Sequence, residues 1–171
     1  MKQRTSRGAT LVEMMLTLTL FSTLAFAAAG TFNSSQESLD WNYHALSLQK
    51  ELRKALFTMT QELRESSPSS PNPISMSTTQ ISFQIPSGVA GNTVTSWTPI
   101  IYSLGPNNTV TRNVNGQVTT IGNNIQTLNF IYPVDALTAP RTVQIQITGS
   151  STTLKRTITR TVTGQVVLRN P

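Results

Sequence analysis

The chain has no cysteine, one histidine and only seven acidic residues among its 171 positions. The missing cysteine excludes disulfides, thiol nucleophiles and cysteine-ligated metals, and it leaves the redox compartment open. Beyond Ser66 the only acid is Asp135, so that whole stretch offers no carboxylate pair for acid–base chemistry. Serine and threonine abound there, but no base stands ready to activate them. His44 sits alone on a helical pattern and reads as a packing or surface residue rather than a metal ligand. No glycine run has the spacing of a phosphate-cradling loop. These absences argue against an enzyme and against any cofactor or metal. Charge is scarce as well, at 12 % of residues against roughly a quarter in typical soluble domains. The formal charge is +6, yet Lys2, Arg4 and Arg7 crowd the start; without them ten bases face seven acids, a net +3.

What the sequence does have is a long apolar run behind that basic start. Ala9 to Phe32 is 24 residues, or about 36 Å of helix, enough to cross a hydrocarbon core of roughly 30 Å with a modest tilt. A secretory signal is the competing reading, with a cut after Ala29 in Ala27-Ala28-Ala29 releasing a soluble β-domain. The run is long for a signal, and Glu13 would sit inside its apolar region, so the span is the better reading. Basic residues ahead of it keep the N-terminus cytoplasmic. A carboxylate within such a span costs about 2.5 to 3.5 kcal/mol and defaults to a functional reading, although an acid near the membrane edge also reaches the interface.

The residues around Glu13 carry a resemblance. Gly8-Ala9-Thr10-Leu11-Val12-Glu13, behind a short basic leader and ahead of an apolar helix, resembles the cleavage and methylation motif of type IV prepilins and pseudopilins. The resemblance implies a membrane peptidase that cuts after Gly8 and methylates Ala9. It implies that Glu13, the fifth mature residue, neutralises the terminal amine of a neighbouring subunit. Ala9 stands where the family usually has phenylalanine. Gly30 falls at mature position 22, where many major pilins carry a proline; glycine is a milder helix breaker.

Helical periodicity continues past Gly30. Trp41, Ala45, Leu48, Leu52, Ala55, Met59 and Leu63 recur at steps of three or four. The prolines and serines of SSPSSPNP, residues 66–73, end the pattern. One helix from Ala9 to Ser66, with a kink expected at Gly30, resembles the stem shared by pilins. A second apolar group, Leu39, Tyr43, Leu46 and Phe57, lies on nearly the opposite side. It is either wrapped by a thin domain or packed against other stems in a filament.

After Pro73 the apolar period becomes two, as in half-buried antiparallel strands. Ile81, Phe83 and Ile85 alternate with polar residues, as do Ile100, Tyr102 and Leu104, Leu128, Phe130 and Tyr132, and Val143, Ile145 and Ile147; Ile158, Val162 and Val166 follow. Asn115-Gly116 predicts a hairpin joining Thr109–Val114 to Gln117–Ile121. Residues 87–96 read as a loop. The strands are expected to form one sheet whose apolar face meets the Trp41–Leu63 stripe.

The fold class is therefore α+β, a pilin-like fold with one long N-terminal helix, half membrane and half amphipathic, packed on an antiparallel β domain. Its parts are a leader (1–8), a membrane half (9–32), an amphipathic half (33–66) and the β domain (67–171). Together with the Glu62-Leu63-Arg64-Glu65 helix end and a terminal VVLRN, this order looks like minor pilins of the J class. The resemblance implies a structural subunit for assembly or initiation of a type IV pilus-like or type II secretion filament. Implied partners are other pilin-like subunits, the prepilin peptidase and the inner membrane, with the C-terminal domain on its far side. A different class of function is a binding module, since Arg112, Arg141, Lys155, Arg156, Arg160 and Arg169 give the β region a basic surface for DNA. Aromatic platforms are thin there, and the structural alternative has Arg156 and Arg160 pairing with Glu51, Glu62 or Glu65.

Overall fold

The structure is a computed structural model that describes residues 10–66, 75–91, 93–131, 142–153 and 156–168. A single helix, α1, runs from Leu11 to Glu65. The chain divides into two compact units, Met1–Asn42 and Tyr43–Pro171.

In the first unit the described residues are helix preceded by Thr10, and every residue from 10 to 40 is exposed. No break occurs at Gly30, so the expected kink is absent. The reason is local. Gly30 is flanked by alanines and Thr31, and the helical penalty of one glycine, about 1 kcal/mol, is too small to end a run this long. Five hydroxyls of this segment bond within the helix. Thr17, Thr19, Ser22, Thr23 and Thr31 each donate a hydroxyl hydrogen to the carbonyl three residues back, at 2.8–2.9 Å. Hydroxyls bonded this way impose little cost in an apolar surrounding, where an unmet donor is expensive.

In the second unit the rest of α1 buries Ala45, Leu48, Leu52, Ala55, Met59 and Leu63; Trp41, the first residue of the expected stripe, belongs to the first unit and is half-buried. The helix stops where the buried Ser66 hydroxyl bonds Leu63 O at 2.6 Å, meeting one of the carbonyls that a helix end leaves unpaired. Among the described residues eight strands follow in two antiparallel sheets, not the single sheet expected. The first sheet holds β1 (Ser75–Met76), β2 (Gln80–Ala90), β3 (Thr93–Gly105), β4 (Thr109–Val114) and β5 (Gln117–Gly122), in that order. The second is β6 (Ile125–Ile131), β7 (Thr142–Thr152) and β8 (Thr157–Val167). The division falls at Gly122-Asn123-Asn124. There Asn124 adopts a left-handed conformation (φ 59°), and β6 leaves the β5 edge to pack across β2, β3 and β4.

Alternation sets the core as expected: Ile81, Phe83, Ile100, Tyr102, Leu128, Phe130, Val143, Ile145, Ile147, Ile158 and Val166 are all buried, while Ile85, Leu104 and Val162 are half-buried. Tyr132 lies outside the described residues. Asn115 and Gly116 turn β4 into β5 with φ of 51° and 87°, the doubly left-handed geometry for which Asn-Gly is suited. Gly149 lets β7 lie on the helix: a Cβ there would stand 2.9 Å from Leu52 Cδ2 and 3.0 Å from Leu48 Cδ1.

Residues 87–90 and 93–96 correct the loop expectation, because they extend the β2–β3 hairpin. Serine, glycine and proline there look like turn chemistry. The chain accommodates them with register shifts around Gly88, and β1 does not extend to Pro86, so its missing N–H breaks no bond.

Candidate functional site

The residues that sequence reasoning places in assembly all lie on α1 or ahead of it. Gly8 and Ala9 lie outside the described residues. Glu13 occupies the first turn of α1 and is exposed. Its backbone N–H donates to Thr10 Oγ1 at 3.3 Å, while Thr10 O accepts from Met14 N at 3.0 Å. Thr10 is thus the N-cap, and Thr10-Leu11-Val12-Glu13 has the spacing of a capping box. The acid also faces the positive end of the helix dipole. Thr10 escaped the sequence reading, although the Thr-x-x-Glu spacing is itself a signal for it.

Leu39 is exposed in the first unit. In the second unit Tyr43, Leu46 and Phe57 are exposed by 71 %, 66 % and 68 %. Among the described residues the β domain does not wrap this side of the helix, and these three side chains stand uncovered. Tyr43 stands edge-on to His44, with ring centroids 5.9 Å apart, and His44 is half-buried.

Arg112 is taken up by the stem: Nη2 lies 2.7 Å from Glu62 Oε1, and Nε donates to both carboxylate oxygens at 3.0 Å. Tyr102 Oη donates to Glu62 Oε2 at 2.5 Å. Burial first, and then the Glu62 acceptor, push the Tyr102 phenol well above its ordinary range. The bond to Glu62 raises Arg112 further, so its charge is permanent. This pair corrects the expectation for Glu62, whose partner comes from β4 and not from Arg156 or Arg160 on the β8 side. The last two are exposed, and Arg160 has interactions of its own within the chain. Arg141, Lys155 and Arg169 lie outside the described residues. Trp97 is half-buried. Among the described residues no three His, Asp or Glu side chains converge as a metal site would require.

Comparison with known proteins assigns no family: no family model matches the chain, and no curated protein or solved structure matches it significantly. What stands is an α+β protein with one long N-terminal helix packed on antiparallel sheets, and within that helix a stretch long and apolar enough to cross a membrane.

Proposed function

We propose that this chain is a minor pilin or pseudopilin, a non-catalytic subunit for assembly or initiation of a type IV pilus-like or type II secretion filament. The observation that carries the reading is Glu13 in the capped first turn of a helix in which every residue from 10 to 40 is exposed. A helix so exposed and apolar needs another apolar phase. The bilayer supplies it before assembly, and neighbouring stems supply it afterwards.

In this account the precursor spans the inner membrane once, with the β domain on the far side. Prepilin peptidase cuts after Gly8 and the new terminus at Ala9 is methylated. Glu13 then receives the terminal amine of the next subunit, a pairing whose strength rises in the low dielectric between packed helices. Leu39, Tyr43, Leu46 and Phe57 meet other pilin-like subunits.

The variant Glu13→Ala tests this. It is expected to be cleaved and inserted normally, since removing the acid relieves about 2.5 to 3.5 kcal/mol of insertion cost. It is expected to be missing from sheared filaments. Wild-type recovery of Glu13→Ala in filaments would reduce the carboxylate to a helix-capping role.

A further inference from the structure

The outward face of the stem in the second unit carries more than apolar residues. Lys50, Arg53 and Lys54 are exposed between Leu46 and Phe57, and Arg64 is exposed beyond them. Tyr43, Leu46, Lys50, Arg53 and Phe57 follow one another at steps of three and four, which places them on one seam. The seam lies away from the row of Leu48, Leu52, Ala55 and Met59 that the sheets bury.

Among the described residues no ion pair involves Lys50, Arg53, Lys54 or Arg64. Of the stem's acids, Glu62 holds Arg112, Glu37 and Asp40 have interactions of their own, and Glu51 and Glu65 make no ion pair among the described residues. Apolar side chains alone would accept any apolar helix, so the cations decide the partner. A second copy laid in register brings Lys50, Arg53 and Lys54 against themselves, and like charges brought together at a contact discriminate against that pairing.

Resting on the filament-subunit reading, we infer that this seam docks a helix from a different subunit. That helix carries carboxylates level with Lys50–Lys54, between apolar residues that meet Tyr43, Leu46 and Phe57. Apolar contact supplies area at both ends, and the central charges set identity and register. The stem thus prefers an acidic partner over itself.

The test uses the full-length chain in zwitterionic nanodiscs and two synthetic amphipathic helices. One has leucines at its apolar contacts and glutamates between them; its twin has lysines in place of the glutamates. Fluorescence anisotropy is expected to show the acidic helix binding at least about tenfold more tightly than its twin, and less tightly as salt rises. Combining Lys50→Glu, Arg53→Glu and Lys54→Glu is expected to invert that preference. Equal binding of both helices, or an acidic preference that survives the reversal, overturns the inference. Lysine acylation of the unsubstituted chain gives a reading independent of the variant: the acidic helix is expected to protect Lys50 and Lys54. Protection by anionic nanodiscs alone would assign the face to the membrane surface. Disulfides between two copies of Leu46→Cys would assign it to a second copy. Either result overturns the inference. Processing at Gly8 plays no part in these measurements, so failure here leaves the filament reading standing, and a failed cleavage leaves the seam standing.

Discussion

Arg112 and Glu62 stand 50 positions apart in sequence and meet as a two-pronged ion pair, with a shortest contact of 2.7 Å. The pair ties β4 to the last turns of the stem, and Tyr102 closes it from β3. Glu62 is 18 % exposed and Arg112 27 %, so the bond is partly shielded from water. Hydrogen bonds to charged groups in such places contribute about 1.5 to 3 kcal/mol. The variant Glu62→Gln is expected to lose that order of stability, measured by urea denaturation.

Tyr102 adds a pH dependence. Its phenol is raised by burial and by Glu62, so above about pH 10 an unfolded tyrosine loses its proton while the folded one keeps it. The folded state then binds more protons than the unfolded state, and stability falls as pH rises, by up to about 1.4 kcal/mol per pH unit. Below about pH 10 the contribution is fully present. Tyr102→Phe lacks this alkaline loss, so the gap between wild type and variant is expected to narrow between about pH 9 and pH 11. A gap that stays constant across that range would contradict the assignment.

Much of this architecture was legible in local pattern. Steps of three and four from Ala45 to Leu63 marked the buried stripe, period two marked Ile81, Phe83 and Ile145, and Asn115-Gly116 marked its hairpin. Each signal spans a few residues and reports burial directly. The Arg112–Glu62 pair left no such trace, because six bases and several acids offered many pairings and only the sheet register selects one. The split into two sheets was hidden for a similar reason: each strand alternates alike whichever sheet it joins. Residues 87–90 and 93–96 misled because their strand pairing tolerates turn-forming residues at a bulge. The Thr10 N-cap has its own sequence signal in the Thr10-x-x-Glu13 spacing.

Burial separates the core from the exposed stem face, and mutation should separate them too. A fragment beginning near Ser34 keeps the whole buried core, which starts at Ala45, and is expected to fold as a soluble monomer with helix and strand signals in circular dichroism. Within it Leu52→Ala should cost about 2 to 5 kcal/mol, because Leu52 is fully buried. Leu46→Asp should shift stability by no more than about 1 kcal/mol, yet abolish incorporation of the full chain into filaments. Unfolding of the fragment by Leu46→Asp would place that face in the protein's own core.

Gly149 tests how closely β7 meets the stem. A methyl group there would stand 2.7 Å from Asn124 O, a backbone atom with little room to move. Gly149→Ala is expected to destabilise the fragment by about 1 to 3 kcal/mol, the usual cost of overpacking. An unchanged unfolding midpoint would mean that the strand and helix lie farther apart.

The central claim is that this chain is a processed filament subunit, and its mature N-terminus tests that most directly. Intact-mass and N-terminal peptide analysis of protein taken from membranes should find N-methylalanine at Ala9, with Lys2, Arg4 and Arg7 gone and the chain at a net +3. A terminus at Gly30 would instead make residues 1–29 a removed secretory signal and leave Glu13 without a role in the mature protein.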